Sequence, residues 1–163
     1  MAMIDILKLN EELDKMIAAQ DEEIKRIDAE VEATREACFG IFMAAMKSYA
    51  EVAKAIAPRL EVFCGCYTQY RHYYYIVFRG DMLQILEGTN SVCIWSLNRT
   101  YDEVSKFGGK EIIDQIARRY AEDPEFPQWF DNNFRDACMR AMRNKAEQAN
   151  ERYQEALNRR EGK

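Results

Sequence analysis

One histidine, three prolines and seven glycines are spread over 163 residues, and each scarcity removes options. With His72 as the sole imidazole, histidine-rich metal sites are excluded, and any general-base histidine must be that residue. The prolines stand at 58, 124 and 127, so neither end of the chain contains a helix breaker. No apolar run approaches the roughly 20 residues of a membrane-spanning helix. Positive charge is not in excess either. The formal net charge is −5, which argues against general attraction to phosphate backbones or anionic membranes. The five cysteines (38, 64, 66, 93, 138) are odd in number and scattered, without a disulfide-framework spacing, which points to a reducing compartment. The opening residues carry no Lys or Arg before their apolar residues, and Asp5 interrupts the run, so no secretory signal is expected. These absences together describe a cytoplasmic protein that does not enter membranes.

What is present is a balance of 48% hydrophobic and 31% charged residues, ordinary for a globular chain. The charge is unevenly placed. Residues 1–37 hold eleven acids and five bases (−6), residues 38–134 twelve and ten (−2), and residues 135–163 five and eight (+3). An acidic start and a basic end attract each other.

Periodicity divides the chain into helix, strands and helix. Over 10–57, Asn10 has the chemistry of an N-cap, and Glu11 and Glu12 sit where the helix dipole favours acids. Leu13, Ile17, Ile24, Ile27 and Val31 recur in a 4-then-3 alternation broken only by Gln20, which is a heptad seam. Beyond Cys38 the helix gains core-type residues, and Gly40 is a candidate kink. Over 60–98, β-branched and aromatic runs separated by Gly80-Asp81 and Gly88-Thr89-Asn90-Ser91 predict a four-stranded antiparallel meander. Over 100–122, Thr100-Tyr101-Asp102-Glu103 has the capping-box form, and two short helices are expected. The last helix is expected over 127–160, heavy at first (Trp129, Phe130, Phe134) and then carrying Met139, Met142, Ala146, Ala149, Tyr153 and Ala156 in 3-4 spacing. The fold class so predicted is α+β, a single domain whose long terminal helices pair antiparallel and flank the meander.

The two seams match layer by layer. Set antiparallel, Leu13 meets Leu157 or Ala156, Ile17 meets Tyr153, Gln20 meets Ala149, Ile24 meets Ala146, Ile27 meets Met142 and Val31 meets Met139. Large residues on the acidic strip face several small ones on the basic strip, which lets the helices approach closely. Such pairing fits one chain or two equally well. A two-helix element of six layers, roughly 27–30 Å long, exposes apolar flank, so a homo-oligomer is expected, a dimer first.

Candidate chemistry is thin. Cys64-Gly65-Cys66 lies in a strand pattern and lacks the turn that structural zinc sites place between paired ligands, so no metal site is expected. His72 has no evident carboxylate to orient it, which leaves a cysteine-dependent enzyme the least supported reading. Phe107-Gly108-Gly109-Lys110-Glu111 fails the phosphate-loop pattern, with Glu111 where Ser or Thr is required. The densest cluster is Tyr67, Tyr70, Arg71, His72, Tyr73, Tyr74, Tyr75 and Arg79, joined by Arg99. Tyrosine and arginine are favoured at protein interfaces, and aromatic rings interleaved with guanidinium groups also stack bases.

The function expected is therefore a non-enzymatic interaction protein, a homo-oligomeric adaptor or inhibitor of the kind phages and mobile elements carry, with no cofactor and a protein partner. A nucleotide or single-stranded nucleic-acid binder using the Tyr/Arg cluster is the alternative.

Overall fold

The computed structural model describes residues 3–57, 62–64, 74–80, 82–87, 90–94, 97–106 and 109–162. Four helices take up most of them: α1 (Met3–Ile56), α2 (Tyr101–Lys106), α3 (Lys110–Glu122) and α4 (Phe126–Arg160). The strands are short: β1 (Val62–Cys64), β2 (Tyr74–Arg79), β3 (Met82–Glu87) and β4 (Asn90–Ile94). They form an antiparallel sheet in the order β1-β2-β3-β4, with the β2–β3 hairpin at its centre.

This balance corrects the predicted α+β class, in which the sheet counts as an equal partner of the helices. The helices hold 54, 6, 13 and 35 residues against 3, 6, 6 and 5 in the strands, so the chain is largely helical with a small sheet built around one hairpin. One boundary moves as well. Helix begins at Met3, because Ile4, Ile6, Leu7 and Leu9 continue the helical pattern and Asp5 suits the first turn. Asn10 consequently lies inside α1 and is not its cap. Gly40 lies within the same helix, which the structure carries from Met3 to Ile56 without a break.

The chain divides into two compact units, Met1–Ala37 and Cys38–Lys163. In the first, every described side chain is exposed. The second holds the core. Within it α1 buries Cys38, Phe39, Phe42, Met43, Met46, Ala50 and Ala53, a stripe at helical period. From α4 come Phe126, Phe130, Phe134, Ala137, Cys138 and Ala141. Tyr74, Ile76 and Phe78 of β2 and Leu83 and Ile85 of β3 supply the sheet's share, and Ile113, Ile116 and Ala117 that of α3. In the hairpin register Ile76 stands opposite Ile85 and Phe78 opposite Leu83, so cross-strand pairs build one buried face.

Aromatic rings lock these elements together. Phe134 meets Phe78 of β2 edge-on at 5.6 Å, and Tyr49 of α1 packs 4.8 Å from Phe130 and 4.6 Å from Phe134. Tyr120 of α3 meets Phe42, Phe126 and Phe130 at 6.0–6.1 Å. Such pairs contribute about 0.5–1.5 kcal/mol each beyond the area they bury. At the start of α2, Thr100 Oγ1 accepts a hydrogen bond from the Glu103 backbone N–H at 3.3 Å, the cap that the Thr100–Glu103 string implies.

Candidate interaction surface

Burial stops abruptly on both long helices. On α1 nothing before Cys38 is buried, and on α4 nothing after Ala141 is. Both boundaries fall where the sequence pattern changes from a broad apolar face to a narrow heptad seam.

The α1 seam residues Leu13, Ile17, Ile24, Ile27 and Val31 keep between 42% (Val31) and 55% (Ile17 and Ile24) of their surface in solvent. Ile6 and Met3, likewise exposed, carry the same spacing two layers further back. Reading the helix from Asn10 hid those layers. The signal that finds them is the 3-4 rhythm itself, 3-6-10-13. Residues 3, 10, 17, 24 and 31 form one heptad row and residues 6, 13, 20, 27 and 34 the other. Met139, Met142 and Tyr153 of α4 are 48–61% exposed, and Ala146 and Ala149 are exposed beside them.

Some of the charges on these surfaces are matched within each helix. Arg26 bridges Glu23 and Glu30, Lys25 pairs with Glu22 at 3.6 Å and Arg35 with Glu32 at 3.8 Å. Arg26 holds the Glu23 carboxyl below the usual carboxylate range. On α4, Arg135 Nε lies 3.2 Å from Asp131 and Arg159 3.9 Å from Glu155.

The Tyr/Arg cluster is only partly brought together. Tyr67, Tyr70, Arg71, His72 and Tyr73 lie outside the described residues. Tyr74 does not belong to an accessible face: its ring is buried in the core and its hydroxyl donates to Gln115 Oε1 at 3.0 Å. Tyr75 is half-buried, Arg79 exposed and Arg99 half-buried. Beside Tyr74 a cleft of about 520 Å³ is lined by Gln115, Arg118, Arg119, Glu122 and Asp123. Its guanidinium groups have internal company. Arg118 Nε donates to both Glu122 carboxylate oxygens at 3.1 and 3.2 Å, and Arg119 lies 5.8 Å from the Tyr74 ring centroid. Two acids balance the two arginines, so the cleft offers no net field for a phosphate.

Sequence patterns gave no hint of a second polar group in the core. The Tyr49 hydroxyl donates to Asp131 Oδ1 at 3.2 Å across 82 residues of sequence. Burial pushes the Tyr49 phenol well above the usual tyrosine range, and the nearby Tyr120 and Asp131 push it further. Burial also raises Tyr120, although its hydrogen bond with Tyr49 opposes the rise. Neither phenol lines the cleft beside Tyr74.

Burial raises the thiols of Cys38 and Cys138 as well, the opposite of what a reactive thiolate needs. Among the described residues no three His, Cys, Asp or Glu side chains converge as a metal ion would require, and no helix is long and apolar enough to cross a membrane. No family model, curated protein or solved structure matches the chain. The surface with the most distinctive chemistry is the exposed heptad stripe.

Proposed function

We propose that this chain is a non-enzymatic interaction protein, an adaptor or inhibitor that works as a homo-oligomer assembled through the heptad stripe of α1. One observation carries the reading. Leu13, Ile17, Ile24, Ile27 and Val31 follow coiled-coil spacing and are all exposed in the single chain. A scattered exposed leucine needs no explanation, but a continuous apolar stripe along a helix is the mark of an association surface. Helices patterned in this way draw most of their stability from a partner. Gln20, within the stripe, and Asn10, just ahead of it, fall on seam positions, where a polar side chain selects register and partner at some cost in affinity.

The test is sedimentation equilibrium of the full chain across a hundredfold range of concentration, beside the variant Ile17→Asp with Ile24→Asp. The natural chain is expected to exceed its monomer mass of 19.1 kDa as concentration rises. The double variant is expected to stay at that mass over the whole range. A natural chain that stays monomeric throughout would overturn the proposal.

A further inference from the structure

The charges beside the two seams say what covers the α1 stripe. In the heptad frame Asp14, Asp21 and Asp28 border one side of the α1 seam, and Glu23 and Glu30 the other. On α4 the borders are Arg143 on one side and Lys145, Arg152 and Arg159 on the other. Among the described residues Asp14, Asp21 and Asp28 have no ion pair, whereas Glu22, Glu23, Glu30 and Glu32 on the same helix all do. Arg143, Lys145 and Arg152 are likewise without an ion pair among the described residues, whereas Arg135 and Arg159 are paired along α4. The seam borders are thus acidic on α1 and basic on α4, and Asp14, Asp21 and Asp28 on the one and Arg143, Lys145 and Arg152 on the other are their members without an ion pair among the described residues.

We infer that the α1 stripe is covered by the α4 seam of a second copy, running antiparallel, with Asp28 opposite Arg143 and Glu23 opposite Lys145. The inference rests on the self-association reading above and names its partner surface. Like-with-like pairing is disfavoured. Two α1 helices antiparallel about the same seam would set Asp14 against Asp28 and Asp21 against its own copy. Side by side and parallel, they would set Glu23 against Asp28. Two antiparallel α4 helices would set Lys145 against Arg152. Pairing α1 with α4 removes all three conflicts, and border charges of this kind decide partner choice in coiled coils. The seams also agree in size. Ile24 meets Ala146, Ile27 meets Met142 and Val31 meets Met139, so in these layers bulk on one helix faces room or a flexible thioether on the other. In a single copy both stripes stand open to solvent, and each copy carries one of each. A two-fold dimer would use each of the two stripes twice.

Charge reversal in full-length protein tests this. One variant carries Glu23→Lys and Asp28→Arg, the other Arg143→Glu and Lys145→Glu. Either variant alone is expected to lose affinity for itself by about tenfold or more. An equimolar mixture is expected to recover a dimer, because the reversed α1 then meets a reversed α4 and the natural pair remains for the second contact. Recovery on mixing supports the inference. Variants that associate as the natural chain does would show that other surfaces pair, and would sink this partner assignment while sparing self-association. Variants monomeric both alone and mixed would also sink it. A natural chain that never leaves the monomer mass would remove the underlying reading as well.

Discussion

At the scale of single residues, the least expected feature is a pair of half-buried phenols. Tyr49 and Tyr120 lie among Phe42, Phe126, Phe130 and Phe134, and burial is the largest influence on both. In the folded chain they keep their protons at a pH where the unfolded chain, with tyrosine near 10, has released them. The folded state then binds more protons than the unfolded one, so stability is complete below about pH 10 and falls as pH rises beyond it. Buried Cys38 and Cys138 act in the same direction and begin lower, from the ordinary thiol value of 9.0. Urea midpoints are therefore expected to be level up to about pH 8 and to drop steadily towards pH 11. Tyr49→Phe is expected to cost about 1 kcal/mol at pH 7, through the lost bond to Asp131, and to make the alkaline fall shallower. An unchanged slope would mean that Tyr49 titrates alike in both states. None of this was legible in the sequence, because nothing local links Tyr49 to Asp131 or Tyr120. Tyr74 failed for a related reason. Strand alternation sets it beside Ile76 and Phe78 without saying which face is the core, and in the structure its ring is buried with its hydroxyl on Gln115.

At the scale of elements, periodicity was the reliable guide and boundary residues were not. The 3-4 rhythm of the terminal seams placed their residues on one exposed stripe of each helix, yet the presence of Asn10 placed the first boundary seven residues too late. Side chains that favour caps do so only where the helix has a reason to begin, and Ile4, Ile6 and Leu7 removed that reason. The strand region read less well. Its aromatic and β-branched runs carried too much weight in the fold class, because helices of 54 and 35 residues outweigh the small sheet. Gly80 is the exception that local chemistry identifies: it follows Arg79, whose partner across the hairpin is Met82, and it adopts φ of 60°. A Cβ there would meet open space, so the penalty for replacing it is backbone strain alone. Gly80→Ala is expected to destabilise the chain by about 1 kcal/mol, read as a lower urea midpoint with an unchanged slope. A neutral substitution would show that the hairpin can turn without the left-handed conformation.

For the whole molecule, the distribution of burial separates folding from assembly. Every buried side chain among the described residues belongs to Cys38–Lys163, and the first unit contributes none. A chain beginning at Cys38 keeps Phe42, Met46, Ala50 and Ala53, which are the parts of α1 that the core uses. It loses the preceding helical turns and so exposes the first N–H groups of a shortened helix, a cost of about 1 kcal/mol. The truncated chain is therefore expected to unfold cooperatively, with a melting temperature a few degrees below that of the natural chain at low concentration. Raising the concentration should separate the two more clearly. Association that favours the folded form makes melting temperature climb with protein concentration. The natural chain, if it assembles through the α1 stripe, is expected to climb over a hundredfold range, and the truncated chain to stay level. Calorimetry at both ends of that range reads the difference directly. A truncated chain that fails to fold would show that residues 1–37 belong to the folding unit, whereas one that still climbs would place the assembly surface elsewhere.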